Sequence, residues 1–178
     1  LAERWLRLGE WIGRDAQARL VEKAWRCAER LKSLGALLLE GGGSAYPSLL
    51  RSLSDAPECL FVLGDPGALA RPLLAVVGSR QASGYGRVVL ERLVPALVGC
   101  GQVVVSGMAR GVDALAHGET LRAGGVTVGI NALGLDHLYP RQQRGLFRDI
   151  LAGGGCIVSE MPPGTAARPW LFPRRNRL

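Results

Sequence analysis

The sequence predicts an α/β protein with a doubly wound, mainly parallel sheet, and three observations lead there. Residues 73–78, 102–107, 126–131 and 156–160 form short, nearly all-apolar runs, as expected of strands buried on both faces. The runs recur about every 25–30 residues, leaving room for one crossover helix between consecutive strands. They lead into Gly78-Ser79-Arg80, Ser106-Gly107-Met108, Gly134-Leu135-Asp136 and Ser159-Glu160. Small and polar residues therefore gather at the C-terminal strand ends, where parallel sheets bind ligands.

Ahead of the sheet, residues 1 to about 40 predict helix. Leu20, Ala24, Ala28 and Leu31 recur near helical spacing, while Arg19, Glu22, Lys23, Glu29 and Arg30 are free to face water. Gly35 is a natural helix end, and Gly41-Gly42-Gly43 before Tyr46-Pro47 predicts the close of an N-terminal module at residue 45. Trp5, Trp11 and Trp25, in the company of Leu and Ile, are expected in its core. Residues 46–178 then form the α/β domain, and a length of 178 residues with 48% hydrophobic content suits one substantial core plus a small appendage.

Several function classes are excluded at this level. No apolar run approaches the roughly 20 residues of a membrane-spanning helix. The first residues lack the basic head and apolar middle of a secretory signal, so the cytoplasm is the expected compartment. Cys27, Cys59, Cys100 and Cys156 lie far apart, without zinc-ligand or redox spacing, and are expected reduced and mostly buried. His117 and His137 have no spacing that asks for a metal, and none is predicted.

The chain carries 22 basic and 15 acidic residues, a net charge of +7, and all its basic residues but Lys23 and Lys32 are arginine. An arginine-rich proteome accounts for the total at least as well as a polyanionic ligand does. Placement says more: after Met161 come Arg168, Arg174, Arg175 and Arg177 with no acid, a local excess suited to a polyanion.

Three segments carry chemistry. Residues 78–86 read GSRQASGYG, a small-residue turn from strand to helix whose exposed amides, with the Ser79 and Ser83 hydroxyls, can hold a phosphate. Gly84-Tyr85-Gly86 falls short of the dinucleotide fingerprint and no acidic residue closes the second strand, so no nicotinamide cofactor is expected. A tight turn explains the glycines; Arg80 is better explained by an anion, with a salt bridge as the rival reading. Residues 106–117, SGMARGVDALAH, repeat the device, with Asp113 near a helix start and His117 four residues on, so the two can bond to each other, a structural role being favoured over a catalytic one. Residues 172–177, FPRRNR, join one ring to three guanidinium groups and an amide. Phe172 stacking on a base and Phe172 buried beneath a solvated basic turn are equally weighted readings.

Taken in order, YPSLLRSLSDAPECLFVLGD, AVVGSR, SGMARGVDALAH, GLDHLYP, SE and FPRRNR resemble the DprA/Smf family over Tyr46 to the end, about three-quarters of the chain. The resemblance implies a Rossmann-like core preceded by a small helical, SAM-like domain. It implies a non-catalytic, cytoplasmic protein that binds single-stranded DNA, protects incoming DNA in natural transformation and loads the RecA recombinase, with a homodimer in the full-length protein. Carried over by motif, Arg80 is the first phosphate clamp, with Ser79 beside it. Ser106, Gly107 and Gly111 line the neighbouring pocket, and Phe172, Arg174, Arg175 and Asn176 supply stacking and anchoring. Departures fall at Gln143, where the family often has Asn, and at Ala132-Leu133, where it commonly has Cys-Gly. The missing Met and the stop at Leu178 suggest a fragment whose further strands, dimer surface and RecA surface lie downstream. The rival enzyme reading is a nucleotide phosphoribohydrolase of the LOG and lysine-decarboxylase-like group. Its PGGxGTxxE signature is not met, because Gly153-Gly154-Gly155 runs into CIVSE without the Thr, which leaves Glu160 a structural role. A plain nucleotide-binding module or interaction scaffold is the third reading.

Overall fold

The computed structural model describes residues 14–138 and 140–178. The first element is helix α1 (Arg14–Leu34), which stops where Gly35 takes φ +65° and Ala36 N–H returns to the Leu31 carbonyl at 2.9 Å. Glycine tolerates that left-handed turn without a Cβ penalty, so Gly35 ends the helix as expected. Trp5 and Trp11 lie outside the described residues. Trp25 does not enter the core: it is 68% exposed, because α1 buries the stripe formed by Cys27, Leu31 and Leu34 instead.

Six strands form one sheet: β1 (Leu37–Glu40), β2 (Cys59–Gly64), β3 (Leu73–Ala75), β4 (Val103–Gly107), β5 (Thr127–Asn131) and β6 (Cys156–Ser159), in the order β1-β2-β6-β5-β4-β3. The four expected strands are present and parallel, β3 to β4 to β5 to β6. Two further strands extend the sheet antiparallel beyond β6. One of them, Leu37–Glu40, comes from the stretch read as helical. Three consecutive leucines satisfy helix and strand patterns alike, and pairing with Cys59–Gly64 decides for strand.

The crossovers are α3 (Gly84–Gly99), α4 (Val112–Arg122) and α5 (Arg144–Ala152), preceded by the short α2 (Ser48–Arg51) and followed by the short α6 (Leu171–Arg175). Over the described residues all three crossovers lie on one face. Leu90 and Val94 of α3 and Ala116 of α4 pack on Val104, and Ile150 of α5 packs with Phe61, Ile157 and the α1 stripe. The opposite face, Leu60, Val62, Val103, Val128 and Val158, is covered by Tyr46, Leu50, Ala68, Leu69 and Leu178. Gly129 lets Met108 Sδ and the Ile157 side chain approach the sheet, since a Cβ there would meet them at 2.5 and 2.7 Å. The polar edge is thus set by the pleat and by one-sided winding: every parallel strand empties its C-terminal end into the same rim.

Candidate nucleic-acid interface

The rim is built by three loops tied to one another. After β3, Val76 N–H still bonds the Val105 carbonyl at 2.9 Å, and the Ser106 hydroxyl donates to the Val76 carbonyl at 2.6 Å. Ser79 Oγ accepts from Gln81 N–H, and Ser83 caps α3 by accepting from Gly86 N–H, each at 3.1 Å. The Ser79 carbonyl accepts from Val112 N–H at 3.0 Å, sewing this loop to the start of α4. Gly111 makes that contact possible: at φ +82° its Cα lies against the Ser79 carbonyl, where a side chain would collide with backbone. Gly111 is therefore a positioning residue.

Arg80 projects from this loop, exposed, and among the described residues it forms no ion pair, so the salt-bridge reading finds no partner there. Arg175 comes from the other side. Its Nη1 donates to the Ile130 carbonyl at 2.6 Å and its Nε to Asn176 Oδ1 at 3.1 Å, which lays the guanidinium over the Cα of Gly107. Burial lowers the Arg175 pKa, Asp113 opposes that shift, and Arg80 adds to it. Two like charges thus converge on one spot, an arrangement suited to an anion between them. Phe172 is half-buried against the cluster of Ala132, Leu133 and Leu171, while part of it faces the rim. Phe172 is thus partly buried beneath the turn and keeps a face open at the rim.

Arg80, Ala109, Phe172 and Arg175 are shared by two adjoining cavities, each of about 360 Å³. The outer one also takes in Gln81, Arg110, Asn131 and Pro140. The inner one reaches down to Ser106, Gly107, Asp113 and Asn176. Ser79 and Gly111 support the walls without lining either cavity. Arg174 is not brought to them: its guanidinium pairs with Glu160 at 2.7 Å, and Arg177 donates to the same oxygen at 2.6 Å while its Nε meets Asp55 at 3.1 Å. Adjacent residues of a helix point about 100° apart, so Arg175 faces the rim while Arg174 turns to Glu160 after β6.

Asp113 and His117 do not bond to each other as the spacing suggests. His117 is fully buried under α4; its Nε2 donates to the Gly107 carbonyl at 3.1 Å, and Nδ1 lies 2.7 Å from Thr127 Oγ1. Burial lowers its pKa to about 4, against weaker opposing hydrogen bonds from the Gly107 and Ser106 backbone. Asp113 turns the other way, with Oδ2 beside Gly107 and the inner cavity. Sequence reasoning also missed Gln81, Arg110 and Asn131. A polar residue at the end of an apolar strand was the available signal for Asn131, whose amide donates to the Leu133, Gly134 and His137 carbonyls and holds the loop after β5. Gln143, one of the departures noted above, reaches the Ala109 carbonyl at 3.1 Å and so braces the rim.

Fold and rim together define a Rossmann-like α/β protein whose C-terminal strand edge presents a basic, aromatic-flanked cleft. The model of the DNA recombination-mediator protein A family matches residues 38–178. Among curated relatives, the DNA processing protein DprA of Bacillus subtilis is 38% identical over 75% of this chain and 45% of its own length. Protein Smf of Escherichia coli is 38% identical over 79% and 38%. The solved structure of DprA from Streptococcus pneumoniae superposes with a TM-score of 0.73 at 35% identity, covering 79% of this chain and 49% of that one. That of Helicobacter pylori DprA, described for its single-stranded DNA binding mode, superposes with a TM-score of 0.68 at 30% identity over 80% and 63%. The chain belongs to the DNA recombination-mediator protein A (DprA/Smf) family, and it spans less than half the length of these two curated relatives.

Proposed function

We propose that this chain is the single-stranded DNA-binding part of a recombination mediator, acting on DNA without cleaving it. The observation that carries the reading is the convergence of Arg80, Arg175 and Phe172 on two adjoining cavities at the C-terminal strand edge. Guanidinium groups take phosphates, and a ring flanking them offers a stacking face to an unpaired base. A duplex offers no such free base face. The Helicobacter pylori relative, described for its single-stranded DNA binding mode, supports the same reading.

Residues 46–178 are the DNA-binding unit in this proposal, and Arg80, Ser79, Ser106, Gly107, Gly111, Phe172, Arg175 and Asn176 bind or shape the strand. Arg174 acts indirectly, by holding α6 to β6. Glu160, the acid a phosphoribohydrolase would need free, is engaged by Arg174 and Arg177, which favours binding over hydrolysis. The family further suggests protection of incoming DNA in natural transformation, loading of RecA, a homodimer and a cytoplasmic setting. Among the described residues no helix is long and apolar enough to cross a membrane.

The test is binding of fluorescent oligo-dT and a matched duplex to the wild-type chain and Arg80→Ala across salt concentrations, without added metal. The expected outcome is a single-strand preference that weakens roughly tenfold in Arg80→Ala, with the slope of log affinity against log salt shallower by about 0.7, the loss of one phosphate contact on a single strand. Equal, weak binding of both DNAs by both proteins would overturn the proposal.

A further inference from the structure

The inner cavity holds a feature that phosphate binding leaves unexplained: a buried carboxylate. Asp113 is 6% exposed and lines the cavity from the first turn of α4, and among the described residues no donor lies within hydrogen-bonding distance of it. Its nearest compensation is Arg175 across Gly107, yet Arg175 spends Nη1 on the Ile130 carbonyl and Nε on Asn176, and no ion pair forms. The carboxylate oxygens open onto the cavity and stand there as acceptors for any donor that enters it, and the start of the helix favours their negative charge. Ala75, Val77, Val105, Ile130 and Phe172 give the cavity an apolar lining beside the polar Arg80, Ser106, Arg175 and Asn176. At about 360 Å³ the space suits a single nucleobase.

Building on the single-stranded DNA reading, we propose that Asp113 is a specificity residue that reads the hydrogen-bond donor edge of a base in this cavity, and that the preferred base is guanine. A carboxylate offers acceptors only. Guanine alone among the four bases presents two adjacent donors on its Watson–Crick edge, N1–H and the N2 amino group, matched to the two carboxylate oxygens. Thymine offers one N–H between two carbonyl groups, which would face the carboxylate with like partial charge. Adenine and cytosine each place an acceptor beside their amino group. Charge-assisted bidentate contacts of this kind are short and selective.

The experiment compares oligo-dT with the same strand carrying one central dG, dA, deoxyinosine or O6-methyl-dG, or one ribonucleotide, by fluorescence anisotropy with wild-type chain and Asp113→Asn. One dG should tighten binding about tenfold, the scale of a bidentate base contact. Inosine, without the amino group, should keep only part of that gain, and O6-methyl-dG, without N1–H, should lose it. In Asp113→Asn the ratio of dG to dT affinity should fall toward unity. Because the base series is measured on the wild type, the proposal stands or falls even if the variant does not fold. An equal gain from dA would mean stacking alone, and an equal gain from the ribonucleotide would mean a sugar hydroxyl on Asp113; either overturns the guanine assignment. Tight binding of oligo-dT with no gain from dG overturns this inference and leaves the single-stranded DNA reading intact. No binding of any strand overturns both.

Discussion

His117 shows how one residue can support a site it does not touch. Its Nε2–H holds the Gly107 carbonyl from beneath the rim, and only the neutral ring suits full burial. The folded pKa of about 4 lies below the ordinary 6.5, so the unfolded chain binds the extra proton more readily. Stability from this group is complete above pH 6.5 and is lost as pH falls toward about 4. The loss should amount to on the order of 3 kcal/mol. Urea unfolding across that window should show a declining midpoint for the wild type and a flatter one for His117→Gln, whose amide does not titrate there; parallel curves would remove His117 as the cause. At this scale the place of Arg80 at the exposed rim was legible, because it follows the glycine turn that ends an apolar run. The orientation of Asp113 and His117 was not, because residues four apart share a face only roughly and the partner that claims His117, Thr127, lies on a different element, β5.

At the scale of elements, two glycines separate folding from binding. Gly111 sits at φ +82° with its Cα against the backbone of Ser79 and Arg80, so Gly111→Ala must strain the joint between the β3 loop and α4. A cost of about 2–4 kcal/mol is expected, read as a lowered melting temperature. Gly107 instead faces side-chain ends, those of Arg175 and Asp113. Gly107→Ala should therefore fold with a small stability change and lose DNA affinity roughly tenfold as Arg175 is pushed aside. If both variants lose stability alike, Arg175 is not the group that yields. The four parallel strands were legible from their apolar runs; β1 and β2 were not. Their antiparallel partners carry no crossover helix to set a period, and residues 59–64 on their own could be either strand or buried helix.

Across the molecule, the C-terminal segment is tied to the sheet by Glu160. This side chain at the end of β6 receives Arg174 and Arg177, and Arg177 continues to Asp55 in the loop before β2. Through that cluster α6 is fixed over the rim, with Leu171 buried and Phe172 and Arg175 aimed at the cavities. Glu160→Gln should free α6, speed hydrogen exchange in residues 171–178 and weaken DNA binding several-fold, at a cost of about 1–3 kcal/mol for the unpaired guanidinium groups. Unchanged exchange in that segment would mean that Leu171 and Phe172 hold it unaided.

By itself the sequence determined the class of fold, the rim on which the chemistry would gather, and the basic tail, because apolar periodicity, glycine turns and charge are local properties written in consecutive residues. Only the tertiary structure decided which arginine of an adjacent pair faces the cleft, that Asp113 points into a cavity rather than toward His117, and that two antiparallel strands extend the sheet. Those outcomes depend on partners far apart in the chain, such as Ile130 for Arg175 and Glu160 for Arg174, and a hydrogen bond or ion pair forms only where folding brings both ends within about 3 Å of each other.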